Sequence, residues 1–142
     1  STQIERLAGY ADVLEQLYHV KEGDVIIAAS NSGRNALVIE YLLRMKQKGA
    51  RIVAITSLCH SQKVKSRHES GKKLCDIADV VLDNKAPYGD VSTLSGCFLS
   101  QCIVGRMAEL LIQDSRDVPV FRSSNADGAD EYNQELFDRY VL

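Results

Sequence analysis

A chain of 142 residues suits one domain of ordinary size, and its 45% hydrophobic and 25% charged residues are typical of a globular protein. The formal net charge of −2 gives no reason to expect a nucleic-acid surface. No apolar run approaches the roughly 20 residues that span a bilayer, and Ser1 is not followed by the apolar core of a signal peptide, so we predict a cytoplasmic protein without a membrane segment.

Apolar periodicity predicts a βαβ unit in the first half of the chain. Residues 4–18 have the spacing of an amphipathic helix, and Val25–Ala29 is a short β-branched run typical of a parallel strand covered on both faces. Helical spacing returns over residues 34–48, and Arg51–Thr56 is a second strand. Strand, helix and strand within about thirty residues predict two parallel neighbours.

The second half is read in the same way, as one continuous domain over residues 1–142. We predict a polar loop with a short helical piece over 58–70, a short helix over 72–77, a strand over 79–83, a buried helix over 92–113, an edge segment over 118–121 and an amphipathic helix over 127–140. The alternation of strands and helices predicts an α/β fold whose parallel sheet binds ligands at the carboxyl ends of its strands.

Four cysteines have spacings that fit neither a zinc ribbon nor a Cys-x-x-Cys motif: Cys59, Cys75, Cys97 and Cys102. Their apolar neighbours favour reduced thiols, mostly buried. Gly71-Lys72 lacks the spacing of an ATP-binding loop, and no Gly-x-Gly-x-x-Gly follows a strand. We therefore expect no metal, no cofactor and no nucleotide.

A polar loop directly after the first strand is the predicted ligand-binding site. Ser30, Asn31 and Ser32 offer side-chain donors, Gly33 lets the backbone approach a ligand, and Arg34 adds charge. The loop leads into a helix, whose N-terminus stabilises an anion through unpaired N–H groups and the macrodipole. This pattern indicates a phosphate monoester.

A structural alternative is that Ser32 only caps the following helix while Gly33 makes the turn. The hydroxyls of Thr56 and Ser57 favour the binding interpretation, because they end the neighbouring strand and are expected to face the same crevice.

These residues also carry a family resemblance. The segments 24–35 and 52–57, with Ser30-Asn31-Ser32-Gly33 and Thr56-Ser57, resemble the core of a sugar isomerase (SIS) domain. Six further segments resemble a bacterial branch of phosphoheptose isomerase type: His60-Ser61, Ser66-Arg67-His68, Ser70-Gly71-Lys72-Lys73-Leu74, Ala78-Asp79-Val80-Val81, Asp83-Asn84 and Asn125-Ala126-Asp127-Gly128. The resemblance implies a flavodoxin-like, three-layer α/β/α sandwich, a phosphosugar in the Ser-rich loop, and a homodimer or higher homo-oligomer.

By the motif, Ser30, Ser32 and Thr56 contact the phosphate. Asn35 stands where SIS loops usually have Thr, although its carboxamide still offers a donor. SIS domains usually begin with a further strand and a Gly-rich loop, and related chains carry extra residues between Val91 and Ser92. We therefore expect this sequence to lack an N-terminal portion and an internal loop.

Isomerisation of an aldose phosphate to a ketose phosphate requires groups that move protons. His60 and His68 follow the second strand and are the first candidates, and Glu131 is a weaker one. Asp127 is as weak a candidate as Glu131, because acids at a helix start are explained by the macrodipole, and Asp130 is no better placed. Two other functions stay open: a domain that senses a phosphosugar without converting it, and a structural dimerisation domain.

Overall fold

A computed structural model describes residues 3–89 and 93–140. Two compact units divide the chain, Ser1–Ser100 and Gln101–Leu142, and each is described by itself. The predicted break between Val91 and Ser92 lies outside the described residues, and its position stays a prediction.

The first unit contains a short 3₁₀ helix at Ile4–Arg6 and a three-stranded sheet with its helices. In chain order these are α1 (Ala11–Leu17), β1 (Val25–Ala29), α2 (Ala36–Gln47), β2 (Arg51–Thr56), α3 (Leu58–Gln62), α4 (Leu74–Ile77) and β3 (Val80–Asp83). The bounds of β1 and β2 are those expected from their apolar runs. The predicted helix over 4–18 is interrupted instead, because Gly9 has a φ of 86° between its two parts.

The sheet is parallel, in the order β1-β2-β3. Ile26 pairs with Ile52 in register, and Ala54 lies between Ala28 and Val81. The predicted α/β class and parallel pairing are confirmed. Because parallel strands end at the same edge, the loops after β1, β2 and β3 are brought together there.

The core of this unit lies on one face of the sheet. Its buried side chains come from α2, β2 and α4: Ile39, Leu42, Ile52, Ala54, Leu74 and Ile77. Val25 and Ile27, on the opposite face of β1, are 61% and 45% exposed. The expectation that β1 is covered on both faces is therefore wrong within this unit, because a continuous apolar run does not reveal which face is packed.

Asp79 connects this core to the start of β3. Its carboxylate accepts a hydrogen bond from the backbone N–H of Ile52 at 2.8 Å and forms an ion pair with Lys46 at 3.0 Å. The N–H of Ile52 is the main cause of a lowered pKa for the Asp79 carboxyl, and Lys46 lowers it further. A lowered pKa means that the folded protein favours the charged carboxylate.

We expect Asp79→Asn to destabilise the protein at neutral pH and progressively less in acid. The stabilisation by the carboxylate is present above the carboxyl's unfolded pKa, near 3.9, and is lost as the pH falls through its lower folded pKa. Urea unfolding of the wild type and the variant, from pH 7 down to pH 3, measures the difference. A difference that stays constant over this range contradicts the assignment.

Two helices, α5 (Thr93–Gln113) and α6 (Ala129–Tyr140), follow the sheet. No described residue of α5 is buried, so the predicted buried helix is wrong in its burial. Residues 118–121 form no strand. All four cysteines are free, as expected, but Cys59, Cys97 and Cys102 are exposed and Cys75 is partly buried, so the expectation of mostly buried thiols is wrong.

Among the described residues, α5 is the one helix long and apolar enough to cross a membrane by length and composition. This corrects the expectation that no segment approaches that length. Its 21 residues include only two charges, at Arg106 and Glu109, while neutral polar residues interrupt its apolar runs. Length and composition do not separate a membrane span from a core helix of a soluble protein.

Candidate functional site

The carboxyl ends of the three strands form one hydrogen-bonded crevice. The backbone carbonyl of Asn31, after β1, accepts bonds from the Thr56 hydroxyl and the Ser57 N–H, both at 3.1 Å. The N–H of Asn84, after β3, donates to the carbonyl of Thr56 at 2.9 Å. Backbone bonds therefore hold the predicted loop against its two neighbours.

Thr56 and Ser57 are both 0% exposed. The Ser57 hydroxyl donates to the carbonyl of Ala86 and accepts from the N–H of His60. Their internal partners mean that these two hydroxyls hold the loop backbone rather than face solvent, because a buried hydroxyl needs a partner within the protein.

Ser30 and Ser32 differ from that pair. Each is partly exposed, and neither hydroxyl has a hydrogen-bond partner in the part of the chain that the structure describes. Helix α2 begins four residues after Ser32, and its N-cap residue is Asn35, whose side chain makes no cap hydrogen bond. The alternative that Ser32 caps this helix is therefore not supported. The first turn of α2 keeps its N–H groups without a side-chain cap.

Gly33 allows a close approach between this loop and α4. Its φ is 59°, and a Cβ atom there would lie 2.8 Å from the Cβ of Leu74. The Gly33 carbonyl also accepts a bond from the N–H of Leu74 at 2.8 Å. Only glycine combines this backbone conformation with this contact at low cost.

Arginine side chains flank the N-terminus of α2. Arg67 donates to the Asn35 carboxamide oxygen at 2.7 Å, while the Asn35 nitrogen donates to Glu5 at 2.6 Å. The backbone N–H of Arg67 donates to the carbonyl of Arg34 at 2.9 Å. Desolvation lowers the pKa of Arg67, and the nearby charges of Arg34 and Arg6 lower it further, although an arginine remains charged at neutral pH.

The Glu5 carboxylate is linked to Arg67 only through the Asn35 carboxamide. Neither Arg34 nor Arg67 forms an ion pair with a carboxylate within residues 3–89 and 93–140. The Nε atom of Arg34 is buried and has no partner among the same residues. A buried donor without an acceptor is unfavourable, so this place suits an anion.

His60 lies on the other side of the crevice. Its Nδ1 is 3.2 Å from the side-chain nitrogen of Asn31, and its ring centroid is 4.7 Å from that of Tyr88. Lys63 lies over the same Tyr88 ring, with Nζ 5.5 Å from the centroid. A partly exposed imidazole therefore faces the loop that carries Ser30 and Ser32.

Residues 1–57, which contain β1, the polar loop, α2 and β2, match the SIS domain family model. Residues 1–57 belong to a SIS domain. The chain is also similar along 99% of its length to UPF0309 proteins, with 45% identity to that of Halalkalibacterium halodurans, 39% to that of Shouchella clausii and 38% to that of Oceanobacillus iheyensis.

The chain spans 63–64% of the length of these curated relatives. The alignment with the Halalkalibacterium protein covers 155 positions, which exceeds the 142 residues present here. That relative therefore carries inserted residues within the aligned region.

The other two predicted catalytic residues are His68 and Glu131. His68 bonds through Nδ1 to Ser70 within its own loop, and no bond joins its ring to the strand ends in the described ranges. Glu131 lies in the first turn of α6, in the second unit. The structure thus brings the loop and His60 together and leaves the roles of His68 and Glu131 as predictions.

Three residues of this crevice, Arg67, Asn84 and Tyr88, were not among the predicted site residues. Asn84 and Tyr88 belong to the polar stretch after β3, whose position at a strand end was a usable signal. Arg67 lies in the segment Ser66-Arg67-His68, which carries the resemblance, but no local pattern indicated its contact with Asn35, because the loop that holds it is eleven residues beyond β2.

Proposed function

We propose that this chain supplies the phosphate-binding part of a phosphosugar site in a longer protein. The observation that carries the proposal is the N-terminus of α2, where side-chain capping is absent among the described residues, the hydroxyls of Ser30 and Ser32 are unbonded, and Arg67 lies 2.7 Å from the N-cap side chain. Unpaired N–H groups, hydroxyls and a guanidinium without an ion pair among the described residues are the donors that a phosphate dianion prefers. Asn31, Gly33, Arg34 and Asn35 complete the proposed site.

The SIS match supports phosphosugar binding in general, and the UPF0309 names specify no reaction. We further propose an aldose–ketose isomerase of phosphoheptose isomerase type. Its physical support is His60, a group able to exchange protons that lies within hydrogen-bonding distance of the loop residue Asn31. The homodimer and the cytoplasmic location implied by the resemblance stay proposals. The exposed apolar side chains of α5, Leu94 and Phe98 among them, are the support for self-association.

The thermal stability of the full-length protein, measured against a panel of aldose and ketose phosphates, tests the proposal. Each unphosphorylated sugar is the control for its own phosphate ester. A rise in Tm that requires the phosphate supports the site and selects the substrate for an isomerase assay. Binding without turnover favours the sensing function, and no rise with any sugar leaves a structural domain.

Variants of the loop give the expected magnitude. Ser32→Ala should weaken phosphosugar binding by about 1–3 kcal/mol, because a hydroxyl bonded to a charged phosphate is lost. Arg67→Gln should weaken it by at least as much, because it removes a full charge. Arg51→Gln is the matched control, since Arg51 is exposed at the opposite end of β2. Isothermal titration with the selected sugar phosphate measures all three, and equal affinities for Arg67→Gln and Arg51→Gln rule out the guanidinium contact.

A further inference from the structure

Three hydrogen bonds cross the carboxyl edge of the sheet in series, and we call this series the asparagine relay. The backbone N–H of Ala86 donates to Asn84 Oδ1 at 3.0 Å. Asn84 Nδ2 donates to Asn31 Oδ1 at 3.1 Å, and Asn31 Nδ2 lies 3.2 Å from His60 Nδ1. The relay takes Asn31 from the end of β1, His60 from the helix after β2 and Asn84 from the end of β3.

The backbone N–H of Ala86 determines which atom donates in every bond of the relay. An N–H group can only donate, so the Asn84 atom that faces Ala86 must be the oxygen. The Asn84 nitrogen is then the donor to Asn31, which makes the facing Asn31 atom an oxygen as well. The Asn31 nitrogen is therefore the atom that faces His60, and a carboxamide nitrogen donates and does not accept.

We infer that the asparagine relay holds His60 as the neutral tautomer with its proton on Nε2, and that Asn31 and Asn84 are positioning residues for this proton. Nδ1 must accept the bond from Asn31, so it carries no proton. Nε2 has no partner in the described part of the chain and is free to donate. Protonation of Nδ1 would set two donors against each other and break the relay.

This inference rests on the proposed function and narrows the role of His60 in it. A neutral imidazole with its proton on Nε2 donates a hydrogen bond to a substrate oxygen, and such a group polarises a carbonyl in an isomerase site. It does not accept a proton at Nε2. The ligand group expected at His60 is thus a carbonyl or hydroxyl oxygen of the sugar, while the phosphate lies with Ser30, Ser32 and Arg67. The base that removes the carbon-bound proton is a different residue.

The supporting contacts make the relay rigid. Thr56 and Ser57 hold the backbone of Asn31, and the carbonyl of Thr56 holds the backbone of Asn84. The Ser57 hydroxyl bonds the carbonyl of Ala86, which fixes the residue at the start of the relay. Thr56, Ser57 and Ala86 are buried, so the backbone around the two partly exposed carboxamides is held in place.

Nitrogen NMR of the histidine side chains tests the relay without any ligand. In the full-length protein at about pH 8, where histidines are ordinarily neutral, we expect the His60 correlations to show a proton on Nε2 and none on Nδ1. His60→Gln assigns the signals. Asn31→Asp should reverse the pattern, because a carboxylate accepts and requires a proton on Nδ1. His68 is the internal control, since the N–H of Ser70 bonds its Nδ1 at 3.2 Å independently of Asn31.

Asn84→Ala is the second variant and keeps the test decisive if Asn31→Asp fails to fold. Without the donor from Asn84, the Asn31 carboxamide can turn over, and we expect the His60 signals to become a mixture of both tautomers. In an active isomerase this variant should lower kcat about tenfold while KM changes much less, because the phosphate contacts remain. A wild-type proton on Nδ1, or a single unchanged tautomer in the tested variant, overturns the relay.

Failure of the relay and failure of the proposed function give different results. The expected tautomer together with no response to any sugar phosphate contradicts the phosphosugar function and leaves the relay standing. Phosphate-dependent stabilisation together with a proton on Nδ1 contradicts the relay alone.

Discussion

Gly33→Ala is expected to destabilise the protein by about 2–5 kcal/mol and to abolish phosphosugar binding. The left-handed backbone at Gly33 costs an alanine about 1–2 kcal/mol, and crowding in a packed place costs about 1–3 kcal/mol more. The crowding is severe here because the new Cβ would lie 2.8 Å from the Cβ of Leu74, an atom that cannot rotate away. Any movement that relieves this contact shifts the loop that carries Ser30 and Ser32.

Gly71→Ala is the matched control for this prediction. Gly71 has a similar φ of 69°, but nothing lies within 4 Å of the position where its Cβ would stand. It should therefore show the backbone cost of about 1–2 kcal/mol without the crowding and without loss of binding. Urea unfolding and sugar phosphate titration of both variants measure the difference. Equal destabilisation by the two substitutions would show that the contact with Leu74 is unimportant.

Leu42→Ala is expected to cost about 2–5 kcal/mol of unfolding free energy. Leu42 is 2% exposed and belongs to the cluster that joins α2 to the sheet, so its truncation leaves a cavity that packed neighbours fill only in part. Leu42 lies in the core and not at the N-terminus of α2, where the proposed anion site is. We therefore expect only an indirect effect of Leu42→Ala on the stabilisation by a bound phosphosugar.

Leu17→Ala is the control, because it is the same substitution at a surface position. Leu17 is 65% exposed in α1, and its truncation should change the stability by less than about 0.5 kcal/mol. Urea unfolding of the full-length variants distinguishes the two cases. A cost at Leu42 as small as that at Leu17 would contradict the assignment of this core.

In the proposed site, the two sides of one crevice bind different parts of the ligand. The N-terminus of α2 with Arg67 provides positive potential for the phosphate, and the asparagine relay presents a neutral donor at His60. The charged groups that face the phosphate are thus separate from the proton donor, His60. Its imidazole has no ion pair within the relay, because Asn31 and Asn84 are both uncharged. The division predicts that variants of Ser32 and Arg67 act on affinity and that variants of Asn84 act on turnover.

The amino-acid sequence by itself determined the strands of the sheet and the position of the candidate site. The bounds of β1 and β2 follow from their β-branched runs, and the Ser-rich loop is recognisable because polar residues follow a buried strand and precede a helix. These are local patterns, in which the periodicity of a segment reflects its own backbone geometry. The spacing of the four cysteines likewise fits no zinc ribbon motif.

Burial and side-chain partners were decided only by the tertiary structure. The exposure of Val25 and Ile27 in β1 was not predictable from its continuous apolar run, because such a run does not indicate which face of the strand is packed. The link from Asn84 to Asn31 joins residues 53 positions apart, and Arg67 meets Asn35 across 32 positions. Such contacts depend on the parallel pairing of three strands, which brings distant loops to one edge of the sheet. No local sequence pattern predicts a contact between residues so far apart in the chain.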